Sequence, residues 1–205
     1  MSKKPIIVFE GIEGTGKSFH INNVSNYLKK KNIKFIKIRE PGGSKNSEKI
    51  RKLILDSKSN FNKKTDLLLY LAARNENIEN IIRKNFKKKI ILIDRFIDST
   101  LAYQHYGMSI NKHIIDLLNK FLIKDIKVNF TFLNLVNEKN MKLRLSKRKN
   151  LNRYDKFQML FYKKVQAGYI NIANKSKKKY LKINSNLDIS ENKKIIINKI
   201  NQLIK

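Results

Sequence analysis

Val8-Phe9-Glu10-Gly11-Ile12-Glu13-Gly14-Thr15-Gly16-Lys17-Ser18 reads as the end of a buried strand, a glycine-rich loop and the start of a helix. Gly11, Gly16, Lys17 and Ser18 stand at the G-x-x-x-x-G-K-[ST] spacing of a phosphate-binding loop. That spacing lets backbone N–H groups converge on a di- or triphosphate, and side chains at the glycine positions would block the approach. The Lys17 ammonium is placed to reach the outer phosphates, and the Ser18 hydroxyl to take one place on Mg²⁺. Gly11, Ile12, Glu13, Gly14, Thr15 and Gly16 complete the candidate phosphate-binding loop. The helix that follows turns its positive end toward the anion. The context agrees with the motif. Ile6 to Phe9 is a short apolar run, and Ser18 to Lys30 fits a helix with Ile21, Val24, Tyr27 and Leu28 inward.

The 205 residues suffice for one domain with a substantial core, and we read residues 1–205 as one unit. Cysteine is absent, which excludes a disulfide framework, a thiolate metal site and a thiol nucleophile. No uncharged apolar stretch approaches the roughly 18 residues of a membrane span, and Met1 to Pro5 runs directly into the first strand. A cytoplasmic protein with no membrane partner is expected. The formal net charge of +30 raises the question of nucleic acid. The basic residues, however, are spread along the whole chain among Asn and Ile, as in an AT-biased coding sequence. We therefore expect no specific nucleic-acid partner, but an affinity for anionic substrates.

Outward from the loop, hydrophobic segments alternate as βαβα. Ile33 to Ile38 reads as a second strand ending in Arg39-Glu40-Pro41-Gly42-Gly43, whose Pro-Gly-Gly is a turn. Arg39 and Glu40 thus sit at a strand's carboxyl end, where open α/β sheets bind ligands. Glu48 to Asp56 reads as a helix carrying Arg51. Thr65 to Phe86 carries Leu68, Leu69, Leu71, Ala72, Ile78, Ile81 and Ile82 at helical spacing, with Tyr70 and Arg74 four apart on one face. Ile90 to Ile93 fits a central parallel strand ending in Asp94-Arg95. In a phosphate-loop protein an aspartate in that position points to a metal. Phe96 to Gln104 is rich in side chains able to line a pocket. Asn111 to Ile123 reads as a helix, Val128 to Leu135 as a strand, and Glu138 to Lys147 as a helix leading into Arg144, Arg148 and Arg153. The basic loop Lys147–Tyr154 precedes a helix from Asp155 to Lys175, then a strand at Tyr180 to Ile183 and a helix from Ser190 to Lys205. The fold class expected is α/β, a five-stranded parallel sheet flanked by helices.

Four motifs carry a family resemblance: residues 10–18, Arg-Glu-Pro-Gly-Gly at 39–43, Tyr-Leu-Ala-Ala-Arg at 70–74, and Asp-Arg-Phe-Ile-Asp-Ser-Thr-Leu-Ala-Tyr-Gln at 94–104. In these the chain resembles the bacterial thymidylate kinases, from Ile6 to about Tyr180. The resemblance implies a P-loop NTPase type of fold with a short basic lid at about 144–155. It implies phosphoryl transfer from ATP to dTMP, giving dTDP for dTTP synthesis in DNA replication, with Mg²⁺ as cofactor. It also implies a homodimer. Lys17, Asp94, Arg95, Arg148 and Arg153 would be catalytic, with Ser18 and Asp94 toward the metal. Arg39, Arg51 and Arg95 would grip the dTMP phosphate near Glu40. Tyr70 would stack on thymine, Arg74 would donate to its O4, and Thr100 and Gln104 would bond the ring edge. Ser99 would support that segment, and Tyr103 would pack where a 2′-hydroxyl would lie.

Four positions depart from the family pattern: Tyr70 replaces a phenylalanine, Phe96 a tyrosine or histidine, Asn152 an acidic residue, and Asn134 an aspartate; no glycine follows Arg148. Two other readings remain open at this point. A nucleoside kinase would need a general base beside the sugar hydroxyl, for which Glu40 is the candidate. A nucleic-acid-binding ATPase would need a localised basic stripe with exposed aromatics.

Overall fold

The computed structural model describes residues 4–149 and 152–204. The start of the chain before Lys4, the lid positions Asn150 and Leu151, and Lys205 of the expected last helix lie outside the described residues. Five parallel strands form one sheet in the order β2-β3-β1-β4-β5. They are β1 (Ile6–Glu10), β2 (Phe35–Arg39), β3 (Ile90–Asp94), β4 (Phe130–Leu135) and β5 (Tyr180–Asn184). Helix α1 (Lys17–Lys30) follows β1; α2 (Lys45–Leu55) and α3 (Lys63–Asn77) follow β2. α3 runs on through a π-helical turn at Ile78–Ile82 into α4 (Arg83–Asn85). α5 (Ile97–Thr100), a π-helix at Leu101–Gly107 and α6 (Lys112–Ile123) follow β3. α7 (Glu138–Ser146) follows β4, α8 (Met159–Lys175) precedes β5, and α9 (Ile189–Ile204) ends the described chain. Among the described residues, no helix is long and apolar enough to cross a membrane.

β1 is buried at all five positions, so both faces of the sheet are covered. Side chains alternate across a strand. Ile7 and Phe9 therefore pack with Val24, Leu28, Phe132 and Ile196 on one face. Ile6 and Val8 pack with Ile91, Ile93, Ile78 and Ile82 on the other. Register places Val8 beside Ile93 and Thr131, and Arg39 beside Asp94. β1 thus has β3 on one side and β4 on the other; the connection after β1 runs toward the β2 edge of the sheet and the one after β3 toward the β5 edge. The crevice at such a switch lies outside the carboxyl ends of the strands, and the phosphate loop starts there.

Two expectations about helices change. Residues 65–86 are helical as read, through α3, the π-turn and α4, but Leu68 and Ala72 of the apolar spacing do not face inward. Leu68 is 58% exposed, Ala72 faces solvent, and Leu67, Leu71 and Ala73 are buried instead. The inward line of α3 also carries Asp66, Arg74 and Asn77, all buried. These polar residues serve the crevice and rotate the apolar ridge away from the one that hydrophobicity alone selects. The second change is at the lid. α8 begins at Met159 rather than Asp155, because Asn152 and Asp155 close a capping box over a short 3-10 turn, Arg153–Lys156.

The loop's first glycine is fixed by the neighbouring strand. Gly11 has φ 139°, and a Cβ there would lie 2.3 Å from the Asn134 carbonyl oxygen at the end of β4. Backbone cannot yield cheaply at that distance. Gly11→Ala should destabilise the fold by more than about 2 kcal/mol in urea unfolding, through both strain and displacement of β4. A loss below about 0.5 kcal/mol would show that the loop does not bear on β4.

Candidate active site

The phosphate loop leaves β1 and returns into α1 through Gly16, which adopts the left-handed conformation and accepts from the Phe19 and His20 amides. Lys17 is folded back over the loop. Its Nζ donates to the Gly11 and Ile12 carbonyls at 2.8 Å each and to Thr15 Oγ1 at 3.2 Å. Ser18 Oγ donates to Asp94 Oδ2 at 3.2 Å, so the two residues singled out for the metal meet across β1 and β3. Two hard oxygen donors of this kind suit Mg²⁺, which keeps most of its waters and shares the rest of its shell with phosphates.

A cavity of about 470 Å³ opens from this loop along the carboxyl ends of β2 and β3. Glu13 to Ser18 line one end. Arg39, Glu40, Arg51, Asp94 and Arg95 line the middle. Tyr70, Arg74, Ser99, Thr100, Tyr103 and Gln104 line the far end; Arg148, Asn152 and Tyr154 from the lid also line the cavity, and Arg144 lines it beside the phosphate loop. Of the residues named from sequence, Gly11, Ile12 and Arg153 do not line the cavity. Gly11 and Ile12 act through the carbonyls that hold Lys17. Arg153 pairs with Asp66 on α3.

The cations of the site are held by carboxylates or by backbone carbonyls. Arg95 has a positive φ of 68°, rare for a non-glycine residue, and follows the last residue of β3. Its guanidinium binds Glu13 at 2.8 Å and donates to the Tyr169 hydroxyl. Glu13 also accepts from Tyr103 at 2.5 Å. Burial pushes the Glu13 carboxyl up, but Arg95 and Lys17 outweigh it and hold the group below the usual carboxylate range. Arg39 is forked on Glu48, and Arg51 donates to the Pro41 carbonyl. Burial and Arg39 lower the pKa of Arg51. Arg148 pairs with Asp155 at 2.5 Å.

The far end is drier. Arg74 is 1% exposed and donates to Glu40, Thr100, Asn119 and the Phe96 carbonyl, which uses four of its five N–H donors. Two buried atoms there have no protein partner, Gln104 Nε2 and Glu40 Oε1. Burial raises the Glu40 pKa against the opposing pull of Arg74. Buried donors and acceptors without partners are uncommon and point to a ligand or water. Ser99 Oγ is held by Glu10 and Tyr169 at 2.6 Å each, at the start of the segment.

Sequence reading missed Arg144 and Tyr154 as members of the site. Arg144 donates to the Gly14 and Ser185 carbonyls and so pins α7 to the phosphate loop. Its place in the basic run was a signal, but not its direction. Asn152 fits its turn for a reason that an acidic residue would not share: its amide donates to Asp155 while its carbonyl caps the turn.

A five-stranded parallel sheet, a phosphate loop over its crevice and arginines at the strand ends define a P-loop phosphotransferase. Residues 9–196 match the family model "Thymidylate kinase". The chain is 38% identical to a thymidylate kinase of Sulfurihydrogenibium sp. over 198 residues, 96% of each chain. It is 40% identical to one of Thermosipho africanus over 168 residues, 82% of this chain and 83% of that one. The crystal structure of thymidylate kinase from Ehrlichia chaffeensis superposes with a TM-score of 0.79 at 30% identity, covering 98% of this chain and 99% of that one. The chain belongs to the thymidylate kinase family.

Burial, with repulsion from Arg95 added, brings the Lys17 ammonium down to about 7. It therefore loses its proton more readily than a free lysine as pH rises through that value, against the hold of its three donated hydrogen bonds, and a bound polyphosphate opposes the loss. ATP binding should take up about one proton at pH 8 and almost none at pH 6, read from binding heats in buffers of different ionisation enthalpy. Equal heats across buffers at pH 8 would contradict this.

Proposed function

We propose that this site transfers the γ-phosphoryl group of ATP to a phosphate oxygen of dTMP, giving ADP and dTDP. The observation that carries the reading is the single cavity that joins Lys17, the strand-end arginines and the Tyr70–Gln104 pocket. The acceptor phosphate is already ionised near neutral pH, so its oxygen attacks without a general base while the bond to the ADP oxygen breaks. What the protein must supply is alignment and neutralisation of spread charge. Lys17 and the loop amides hold the ATP phosphates. Arg95 and Arg51, with Arg39, take the acceptor phosphate by exchanging their present carboxylate and carbonyl partners for it. Arg148, released from Asp155, reaches the transferring group. Ser18 and Asp94 would hold Mg²⁺, which neutralises phosphate charge when bound.

The Tyr70 ring stacks on thymine. The remaining N–H of Arg74 and the unpaired Gln104 amide, with Thr100, read its edge. Glu40 completes the shell about the phosphate. Tyr103 and Glu13 close the sugar side. A base that leaves Gln104 or Arg74 unpaired is rejected strongly, whereas the absent methyl of uracil costs only about 1–3 kcal/mol.

We also propose a homodimer. α6 exposes Ile114, Leu117 and Phe121, by 48–70%, along one helical face, and α3 packed against it exposes Leu68. Such a contiguous apolar face on a highly charged chain marks an interface. Light scattering should give twice the 24.2 kDa chain mass, and Phe121→Asp should shift the protein toward monomer.

A coupled assay of ADP release with ATP, Mg²⁺ and each nucleoside monophosphate tests the reaction. Activity should be highest with dTMP and weaker with dUMP. Arg95→Ala should lower kcat/KM by about a hundredfold or more, as expected for a charge-assisted contact to the reacting phosphate. Activity with thymidine but not dTMP would overturn the roles of Arg51 and Arg95.

A further inference from the structure

Asp66 lies in the first turn of α3, 1% exposed, and both its carboxylate oxygens are engaged from the lid. Oδ1 accepts from Arg153 and Oδ2 from the Tyr154 hydroxyl. A buried carboxylate is tolerable only while it is paired. Lifting the lid base would strand Asp66 on one side and Arg153 on the other.

Tyr154 also touches the acceptor pocket. Its ring stands edge-on to Tyr70 and to Tyr103, centroids 5.9 Å apart in each case. A polar path runs from Tyr154 through Asp66 to Arg153. On the other side of Tyr154, Asn152 and Asp155 close the turn on which Arg148 is held.

We propose that Asp66 is the docking post of the lid and a positioning residue for phosphoryl transfer. It seats Arg153 and Tyr154, which places Tyr154 against the base pocket and carries Arg148 over the cavity. Arg153 is then a structural anchor of the lid rather than a group that meets the phosphates. The catalytic part of this inference rests on the dTMP kinase reading above; the docking part does not.

The test uses the full chain with Asp66→Asn, Asp66→Glu and Tyr154→Phe. Without nucleotide, tryptic cleavage mapped by mass spectrometry to Lys147, Arg148 and Lys149 should be about tenfold faster in Asp66→Asn, and close to the unmodified protein in Asp66→Glu. With ATP and dTMP, kcat of Asp66→Asn should fall about tenfold while the KM for ATP moves less than about threefold. Asp66→Glu should recover most of it. Should Asp66→Asn unfold, Tyr154→Phe keeps the ring packing and should show the same two changes at about threefold. Unchanged lid cleavage in folded Asp66→Asn would overturn the docking role even if dTMP turnover is normal. Were the unmodified protein inactive on dTMP, lid cleavage alone would still decide it.

Discussion

Glu13 stands between the buried Lys17 and the partly buried Arg95, and the site depends on that placement. Lys17 and Arg95 repel one another across the ends of β1 and β3, and the repulsion helps to lower the Lys17 ammonium. The Glu13 carboxylate accepts from Arg95 and Tyr103 and counters both charges in a volume that water does not reach freely. Without it, two like charges in a low-dielectric crevice would interact by several kcal/mol. Phosphates supply the same negative charge when nucleotides bind. The free protein therefore keeps its cations parked on carboxylates and carbonyls, and the function proposed above has phosphate oxygens take the place of these partners. Arg39 on Glu48 and Arg148 on Asp155 follow the same pattern at the rim.

The sheet explains why these charges can be brought so close. Glu13 comes from the loop after β1, Arg95 from the end of β3 and Tyr103 from the π-helix beyond it. Their backbones are fixed by parallel pairing and by a core packed on both faces. Arg95 holds a positive φ at this junction. Conformational strain of that kind persists where surrounding contacts over-determine it, and Glu13, Tyr169 and the Phe9 carbonyl supply those contacts.

Much of this was legible in the chain because the features are imposed by backbone. Gly11 and Gly16 mark positions that a Cβ would obstruct or strain, so loop, strand and helix follow from spacing alone. Hydrophobic runs gave all five strands, and the strand-end residues Arg39, Glu40, Asp94 and Arg95 fell where the crevice forms. What sequence could not convey was side-chain direction. Arg144, Arg148 and Arg153 look equivalent in a basic run, yet one pins the phosphate loop, one lies over the cavity and one is drawn onto Asp66. Leu68 looked like core and is exposed, because α3 turns Asp66, Arg74 and Asn77 inward. Those buried polar positions break hydrophobic periodicity at the places where the helix serves the site.

The same distinction resolves the charge. Most of the 46 basic residues lie along solvated faces, and a net charge of +30 by itself says little about chemistry. The informative cations are the few whose surroundings constrain them. Arg74 is almost wholly buried with four donors engaged, and Arg95 is strained and paired. Arg153 is held by a carboxylate that is itself buried. An arginine earns a role through the geometry of its partners, and Arg74, Arg95 and Arg153 have three different ones. The first is a rigid wall with one donor to spare, the second is paired with Glu13 beside the phosphate loop, and the third is paired with Asp66 below the lid. Removing charge from the solvated faces would change solubility and long-range attraction. Removing it from these three positions would strand Glu40, Glu13 or Asp66 in the interior, and that cost ties the catalytic centre to the stability of the fold.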